Sequence, residues 1–320
     1  MSSQTFENPG IPLDLGMALE KEINRSAVER RVATITKRRS IKKEWQAAWL
    51  LKAITLMDLT TLSGDDTPGR VRRLAAKAVQ PVREDILEAL GMGGSDLTVA
   101  ALCVYPNRVR DAVEALYGSG IPVAAVSTGF PSGQVPIESQ LVEIEKMIEL
   151  GAREIDIVIS REYVHTGEWS ALYDEVKAFR AACGTAAHLK TIIEVGELGT
   201  LTNVYRASVV AMMAGSDFIK TSTGKAKENA TLTVGLVMVR AIREYFERTG
   251  YKVGFKPAGG IRTAKVALNW MILIKEELGD AWLTPQLFRF GASSLLGDIE
   301  RQLSHHLTGR YASSKYMPVA

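Results

Sequence analysis

Three ionisable residues stand inside apolar runs, where a charge is hard to keep. Asp156 sits in Glu154-Ile155-Asp156-Ile157-Val158, Lys220 closes Asp217-Phe218-Ile219-Lys220, and Lys256 closes Val253-Gly254-Phe255-Lys256. A buried charge must be paired or put to use. One carboxylate cannot neutralise two ammoniums, so a purely structural ion pair leaves a surplus cation. That surplus has a chemical use. A lysine of ordinary pKa, about 10.4, is protonated at neutral pH and is no nucleophile. Two ammoniums roughly 6 Å apart at an effective dielectric of about 20 repel by about 2.8 kcal/mol, about two pKa units, and desolvation adds to this. One of the two lysines is then largely neutral near physiological pH. A neutral amine can attack a carbonyl, and the resulting imine is an electron sink for breaking a carbon-carbon bond. On the residues alone, structural ion pairing and Schiff-base chemistry both stand, because buried networks also perturb pKa values. The candidate nucleophile is one of the two lysines, Lys220 or Lys256, with Asp156 beside them.

Two glycine-containing segments could hold an anion. Lys256-Pro257-Ala258-Gly259-Gly260-Ile261-Arg262 offers backbone N–H groups at paired glycines, and Gly291-Ala292-Ser293-Ser294 opens the last helix, whose first amides and dipole favour negative charge. Either segment alone is explained by a tight turn or an N-cap serine; together, at the expected loops, they favour a phosphate site. Ser222-Thr223-Gly224-Lys225 resembles the end of a nucleotide-binding loop, but Ile219 stands where glycine is required and Ala226 where Ser or Thr is. Nucleotide binding there is rejected. Lys225 is either a screen for a substrate phosphate or an exposed loop lysine.

The elements that would position these residues follow from periodicity. From about residue 53, short β-branched or apolar runs alternate with helical segments. Strands are predicted at Ile54-Leu59, Val99-Val104, Val123-Ser127, Glu154-Ile159, Lys190-Val195, Phe218-Thr221, Lys252-Lys256 and Leu287-Phe290, with helices at Asn107-Leu116, Glu138-Leu150, Trp169-Ala182, Asn203-Met213, Thr233-Arg248 and Thr263-Leu278. Gly151, Gly184, Gly215, Gly250 and Gly279 follow helices where a left-handed residue commonly closes the last turn. About eight parallel strands suit a closed (β/α)8 barrel, although an open doubly wound sheet uses the same units. Strand alternation points Asp156, Lys220 and Lys256 into one lumen, with both lysines at the C-terminal strand ends where barrel chemistry gathers.

The expected organisation is an α/β protein. An N-terminal helical extension (1–50) packs on a TIM (β/α)8 barrel (51–305), followed by a C-terminal tail (306–320). The extension is predicted to carry one amphipathic helix, Met17-Arg39, ending in Lys37-Arg38-Arg39 and followed by Lys42-Lys43. Such a cluster suits a helix C-terminus and also matches a weak nucleic-acid or import patch; the first reading is preferred.

The chain has 320 residues, 46% hydrophobic and 23% charged, with net charge +3, so no nucleic-acid or membrane partner is expected. Cys103 and Cys183 make no disulfide framework or paired zinc motif, and the N-terminus lacks the apolar segment of a signal peptide. A cytoplasmic protein is expected. The four histidines, His165, His188, His305 and His306, have no metal-ligand spacing, so neither metal nor cofactor is expected.

Six ordered motifs add a resemblance. Met57-Asp58-Leu59-Thr60-Thr61-Leu62, Cys103-Val104-Tyr105-Pro106, Glu154-Ile155-Asp156, Phe218 to Lys225, Gly254 to Gly260 and Phe290 to Ser294 closely resemble the deoxyribose-phosphate aldolase family, over about residues 45 to 305. The resemblance implies a TIM barrel and a reversible, metal-free cleavage of 2-deoxy-D-ribose 5-phosphate to acetaldehyde and D-glyceraldehyde 3-phosphate. It implies Lys220 as the Schiff-base nucleophile, Lys256 as the lysine that lowers its pKa, and Asp156 as the acid/base. Asp58 and Thr60 would help position substrate; Thr223, Gly224, Lys225, Gly259, Gly260, Ser293 and Ser294 would line the substrate pocket, mostly at its phosphate end. Cys103 matches a cysteine near the pocket that the chemistry does not need, or is simply a small buried hydrophobe. Some members of the family end in a tyrosine that carries a proton; here Tyr311 or Tyr316 could serve, or the tail is disordered. A monomer or homodimer is expected. The rivals are a lysine-dependent aldolase for a ketose phosphate and a non-catalytic sugar-phosphate-binding barrel.

Overall fold

Each short apolar run becomes a strand whose two faces are covered, the lumen on one side and a helix on the other. The computed structural model describes residues 7–38, 41, 42 and 44–318. Its strands are β1 (Met57–Thr60), β2 (Ala101–Val104), β3 (Val123–Val126), β4 (Glu154–Val158), β5 (His188–Ile192), β6 (Phe218–Lys220), β7 (Gly254–Lys256) and β8 (Phe290–Ala292). They pair in parallel in the order β7-β6-β5-β4-β3-β2-β1-β8. The ring then closes: Phe255 N donates to Leu287 O at 2.9 Å, Arg289 N to Phe255 O at 3.1 Å, and Gly291 N to Pro257 O at 2.9 Å. The fold is a TIM barrel, and the open-sheet alternative falls.

Helices α1 (Leu15–Leu19), α2 (Arg25–Arg38) and α3 (Glu44–Ile54) precede the first strand. Around the barrel lie α4 (Pro68–Val79), α5 (Glu84–Ala89), α6 (Val109–Ala115), α7 (Ile137–Glu149), α8 (Arg161–Thr166), α9 (Trp169–Cys183), α10 (Leu201–Met213), α11 (Leu232–Thr249), α12 (Ala264–Leu278) and α13 (Leu295–Thr308). Threonines start four of them: Thr67, Thr200, Thr231 and Thr263 accept from the amides of Arg70, Asn203, Val234 and Val266. Each thereby satisfies a donor that the first helical turn leaves without a partner. All five glycines expected to follow helices take positive φ; Gly250 closes α11 in the left-handed helical region, while Gly184 and Gly279 lie outside it.

Several boundaries differ from expectation, four of them for a reason visible in the structure. Met17-Arg39 is not one helix, because α1 stops at Leu19 and α2 begins at Arg25. Between them Ile23 N donates to the Thr202 hydroxyl at 3.0 Å, and the Asn24 side chain accepts from Ala27 N to start the second helix. Ile54 ends α3 rather than opening a strand. The fifth strand ends at Ile192, two residues before Glu194, whose left-handed φ of 55° cannot continue it. The eighth strand is shifted onto Phe290–Ala292, where Gly291 pairs with Asp58. Within the expected basic cluster, Arg39 and Lys43 lie outside the described residues.

The N-terminal segment is tied to the barrel wall. α1 packs on α10, α2 on α11 and α12, and α3 on α12 and α13. Buried Asn8 donates from its amide to Met212 O at 2.7 Å and Ser216 O at 2.9 Å, and its carbonyl accepts from the Tyr245 hydroxyl at 3.1 Å. Arg31 of α2 reaches Glu277 of α12 at 2.8 Å. At the other end α13 runs on to Thr308, so the tail beyond it is shorter than the sequence suggested. No helix among the described residues is long and apolar enough to cross a membrane.

Candidate active site

Period-two alternation in β4, β6 and β7 points Asp156, Lys220 and Lys256 into the lumen, and register sets their heights. Lys220 is the Cα partner of Lys256, and Asp156 that of Lys190. The three expected residues meet. Lys220 Nζ lies 2.8 Å and Lys256 Nζ 2.7 Å from the same oxygen, Asp156 Oδ2. The two nitrogens are therefore separated by no more than the sum of those distances.

The lumen holds more charge than the sequence reading assigned. Lys190 Nζ approaches Asp156 Oδ1 at 3.0 Å, Glu154 Oε2 at 2.5 Å and Asp58 Oδ2 at 3.5 Å. Arg289, just ahead of β8, ion-pairs with Asp58 and reaches Glu154 Oε1 at 2.9 Å. Asp58 was expected at the substrate; it is instead fully buried within this lattice, bound to Lys256 at 2.5 Å as well as to Arg289. Thr60, also expected at the substrate, does line the cavity above, and its hydroxyl donates to Asp58 O at 2.7 Å. Glu154, Lys190 and Arg289 are the functional candidates missed. The rule that found Asp156, a charge within a buried strand, also applies to Glu154 and Lys190.

The opposite wall is apolar, formed by Ala101, Cys103, Ala124 and Val126 with Leu62, Tyr105 and Phe130 against them. Cys103 is fully buried there, and burial pushes its thiol pKa up, so it stays protonated.

This setting divides the lysines. Burial lowers the Lys220 pKa below the ordinary lysine value of 10.5; Asp156 opposes the shift and the charge of Lys256 deepens it. Burial is thus the larger cause, ahead of the repulsion that the sequence reading placed first. At Lys256 burial also disfavours charge, but Asp156 and Asp58 outweigh it and hold the ammonium above the usual lysine range. Lys190 is raised similarly, with Asp156 and Glu154 overcoming burial. At Asp156 burial is outweighed by Lys190, Lys220 and Lys256, which hold the carboxyl well below its ordinary range.

Above the lattice opens a cavity of about 370 Å³ whose lining includes Lys220, Thr60, Thr223, Gly224, Lys225, Gly259, Gly260, Ser293 and Ser294. Among the described residues the lumen holds four basic groups, and of these only Lys220 lines the cavity; Asp156, Lys256 and Cys103 lie beneath. Gly259 has φ of 83°, and a Cβ there would stand 2.6 Å from the Asn229 side chain, so the close turn requires glycine. Ser294 occupies the N-cap of α13 but makes no side-chain capping bond, so capping does not explain its presence. Lys225 is more than an exposed loop residue: its Nζ donates to Leu62 O at 2.6 Å, bridging two loops of the rim. Arg262, quoted in its motif but given no role, lines this cavity and an adjoining one of about 610 Å³.

The tail tyrosines do not line either cavity. Tyr311 stacks on His305 with ring centroids 4.1 Å apart, and Tyr316 is 68% exposed; Met317 and Pro318 line the adjoining cavity instead. Among the described residues no group of three His, Cys, Asp or Glu is placed to hold a metal ion.

The chain matches the model of the DeoC/LacD family aldolases over residues 52–297. It is 63% identical over 313 residues to the deoxyribose-phosphate aldolase of Mus musculus, covering 97% of this chain and 98% of that one. It is 60% identical over 315 residues to the Homo sapiens deoxyribose-phosphate aldolase, covering 98% and 99%. A solved deoxyribose phosphate aldolase from Aeropyrum pernix, described as tetrameric, superposes with a TM-score of 0.61 at 21% identity, covering 88% of this chain and 99% of that one; that likeness concerns the fold.

Proposed function

The chain belongs to the DeoC/LacD aldolase family, and from that premise we propose how its barrel performs the reaction. It is a class I aldolase that reversibly cleaves 2-deoxy-D-ribose 5-phosphate to acetaldehyde and D-glyceraldehyde 3-phosphate. The observation that carries the assignment of the nucleophile is that Lys220 alone among the lumen cations reaches the substrate cavity, and its pKa is lowered.

In the proposed cycle, neutral Lys220 adds to the C1 aldehyde of the open-chain sugar. The carbinolamine loses water to give a protonated imine. A base removes the C3 hydroxyl proton, the C2–C3 bond breaks, and its electron pair moves into the imine to give an enamine. Glyceraldehyde 3-phosphate leaves with C3 as its aldehyde carbon. The enamine takes a proton at C2, and water releases acetaldehyde and regenerates the amine. Asp156, held ionised within hydrogen-bond reach of Lys220, is the base and proton carrier, acting through water on atoms it does not touch. Lys256 and Lys190 keep Asp156 ionised. Asp58 holds Lys256, and Thr60 faces the substrate above it.

The phosphate end of the substrate belongs at the rim formed by Gly224, Lys225, Gly259, Gly260, Ser293 and Ser294, with Thr223 beside it. The first amides of α13 and the charge of Lys225 favour an anion there. Within the same proposal the enzyme is cytoplasmic, consistent with two buried free thiols, acts as a monomer or homodimer, and serves deoxyribose phosphate catabolism. Turnover tests the substrate assignment: purified protein should release acetaldehyde from 2-deoxyribose 5-phosphate. Cleavage of ketose phosphates alone would place it with the other substrate class, and binding without cleavage would mark a non-catalytic barrel.

A further inference from the structure

The charges across the lumen do not balance. Among the described residues they are three carboxylates, Asp58, Glu154 and Asp156, against four basic groups, Lys190, Lys220, Lys256 and Arg289. Cys103 on β2 stays a thiol and adds no charge. An uncompensated charge in such an interior is costly, so the lattice favours the loss of one proton.

The contacts identify the donor. Lys190 touches three carboxylates and Lys256 two, whereas Lys220 meets one oxygen of Asp156 that it shares with Lys256. Arg289 cannot serve, because a guanidinium does not deprotonate in a protein. Arg289 also creates the shortage. It occupies an oxygen of Asp58 and, at 2.9 Å, Oε1 of Glu154, with its guanidinium carbon 5.8 Å from the Phe218 ring centroid. Lys190 and Lys256 then draw on Asp156 as well.

We propose that Arg289 is a positioning residue for the proton: by occupying Asp58 and Glu154 with a charge that cannot be lost, it makes Lys220 the neutral amine of the lumen. It acts through two chains, Asp58 to Lys256 and Glu154 to Lys190, which both end on Asp156. The inference rests on Lys220 being the imine-forming lysine. Glu154 is the counterweight, because its charge offsets that of Arg289.

The test is the acid limb of kcat/KM against pH in full-length variants, which reports the free enzyme. The ionisation of the substrate phosphate is common to all variants, so differences between them isolate the protein. Arg289→Met leaves three cations for three carboxylates and should move the limb up by about one pH unit, with activity recovering at high pH. Glu154→Gln should move it down, the double variant should return near the wild-type position, and Arg289→Lys should stay close to wild type. General loosening of the barrel would not produce shifts of opposite sign. No shift in either single variant, or shifts of the same sign, overturns the proposal; if one single variant does not fold, the other and the double variant decide it. Reductive trapping with acetaldehyde at high pH keeps the premise separate. A label elsewhere than Lys220 means the premise has failed; a label on Lys220 with an unmoved acid limb means the role of Arg289 has failed.

Discussion

Lys220 and Lys256 share one acceptor, Asp156 Oδ2, at 2.8 and 2.7 Å, yet only Lys220 lines the substrate cavity. A single carboxylate oxygen thus faces the amino nitrogens of two buried lysines from neighbouring strands. Lys256 has Asp58 as a second partner and keeps its proton, whereas Lys220 has no second carboxylate partner among the described residues. That asymmetry makes one lysine a nucleophile and the other a fixed charge.

Removing the fixed charge should return the proton to Lys220. Lys256→Leu takes away a positive charge that lowers the Lys220 pKa and leaves the shared oxygen to Lys220 alone. The reactive form is the neutral amine, so activity rises as pH passes this pKa. Raising the pKa moves the acid limb of kcat/KM upward and costs about 10- to 100-fold near neutral pH. An unchanged pH profile would remove the contribution of charge repulsion.

Neutralising the shared acceptor should act in the other direction. Asp156→Asn removes the charge that favours protonated Lys220, so the acid limb moves down. It also removes the proton carrier, and kcat should fall by about 100-fold or more. Steady-state kinetics across pH checks both effects; a full kcat at any pH would show that Asp156 carries no proton in the rate-limiting steps.

The rim lysine should matter to the phosphate and little to the chemistry. Lys225→Met should raise KM for 2-deoxyribose 5-phosphate by about 10-fold or more, the scale of one charge-assisted hydrogen bond, and leave turnover of unphosphorylated 2-deoxyribose within about twofold. Equal losses on both sugars would mean that Lys225 acts mainly through its bond to Leu62 O.

Asn8 anchors the N-terminal segment through its side-chain bonds to Met212, Ser216 and Tyr245. Asn8→Ala removes these three buried hydrogen bonds and should destabilise the fold by about 2–4 kcal/mol, lowering Tm by several degrees, with kcat near wild type. An unshifted Tm would show that the segment is not coupled to the barrel.

The barrel and the Asp156, Lys220 and Lys256 constellation were legible because a charge inside an apolar strand conflicts with burial, and alternation then states which way it points. Glu154 and Lys190 were open to the same reasoning. They were passed over because each opens its predicted strand, where a charged residue reads as a solvent-facing edge, and their partners depend on the register that sets Asp156 beside Lys190. Arg289 stood inside the expected strand Leu287-Phe290, between two phenylalanines, so the same rule reached it as well; in the structure it lies just ahead of β8. Asp58 was seen but misplaced in depth, since only the ring of eight strands shows that its carboxylate lies below the cavity. α4 carried its signal in Thr67-Pro68 and the spacing of Val71, Leu74, Ala75 and Ala78, whereas six-residue α5 is too short for periodicity to show. The break between α1 and α2 depends on Ile23 docking on Thr202, a contact 179 positions away.

The central claim is that Lys220 forms the imine, and covalent trapping tests it most directly. Incubation with 2-deoxyribose 5-phosphate and borohydride, followed by peptide mass mapping, should place a reduced adduct on Lys220. The adduct should be absent in Lys220→Arg, whose guanidinium cannot form an imine, and activity should fall by more than about 1,000-fold. An adduct on Lys256 in the wild-type protein, or normal turnover by Lys220→Arg, would contradict the account.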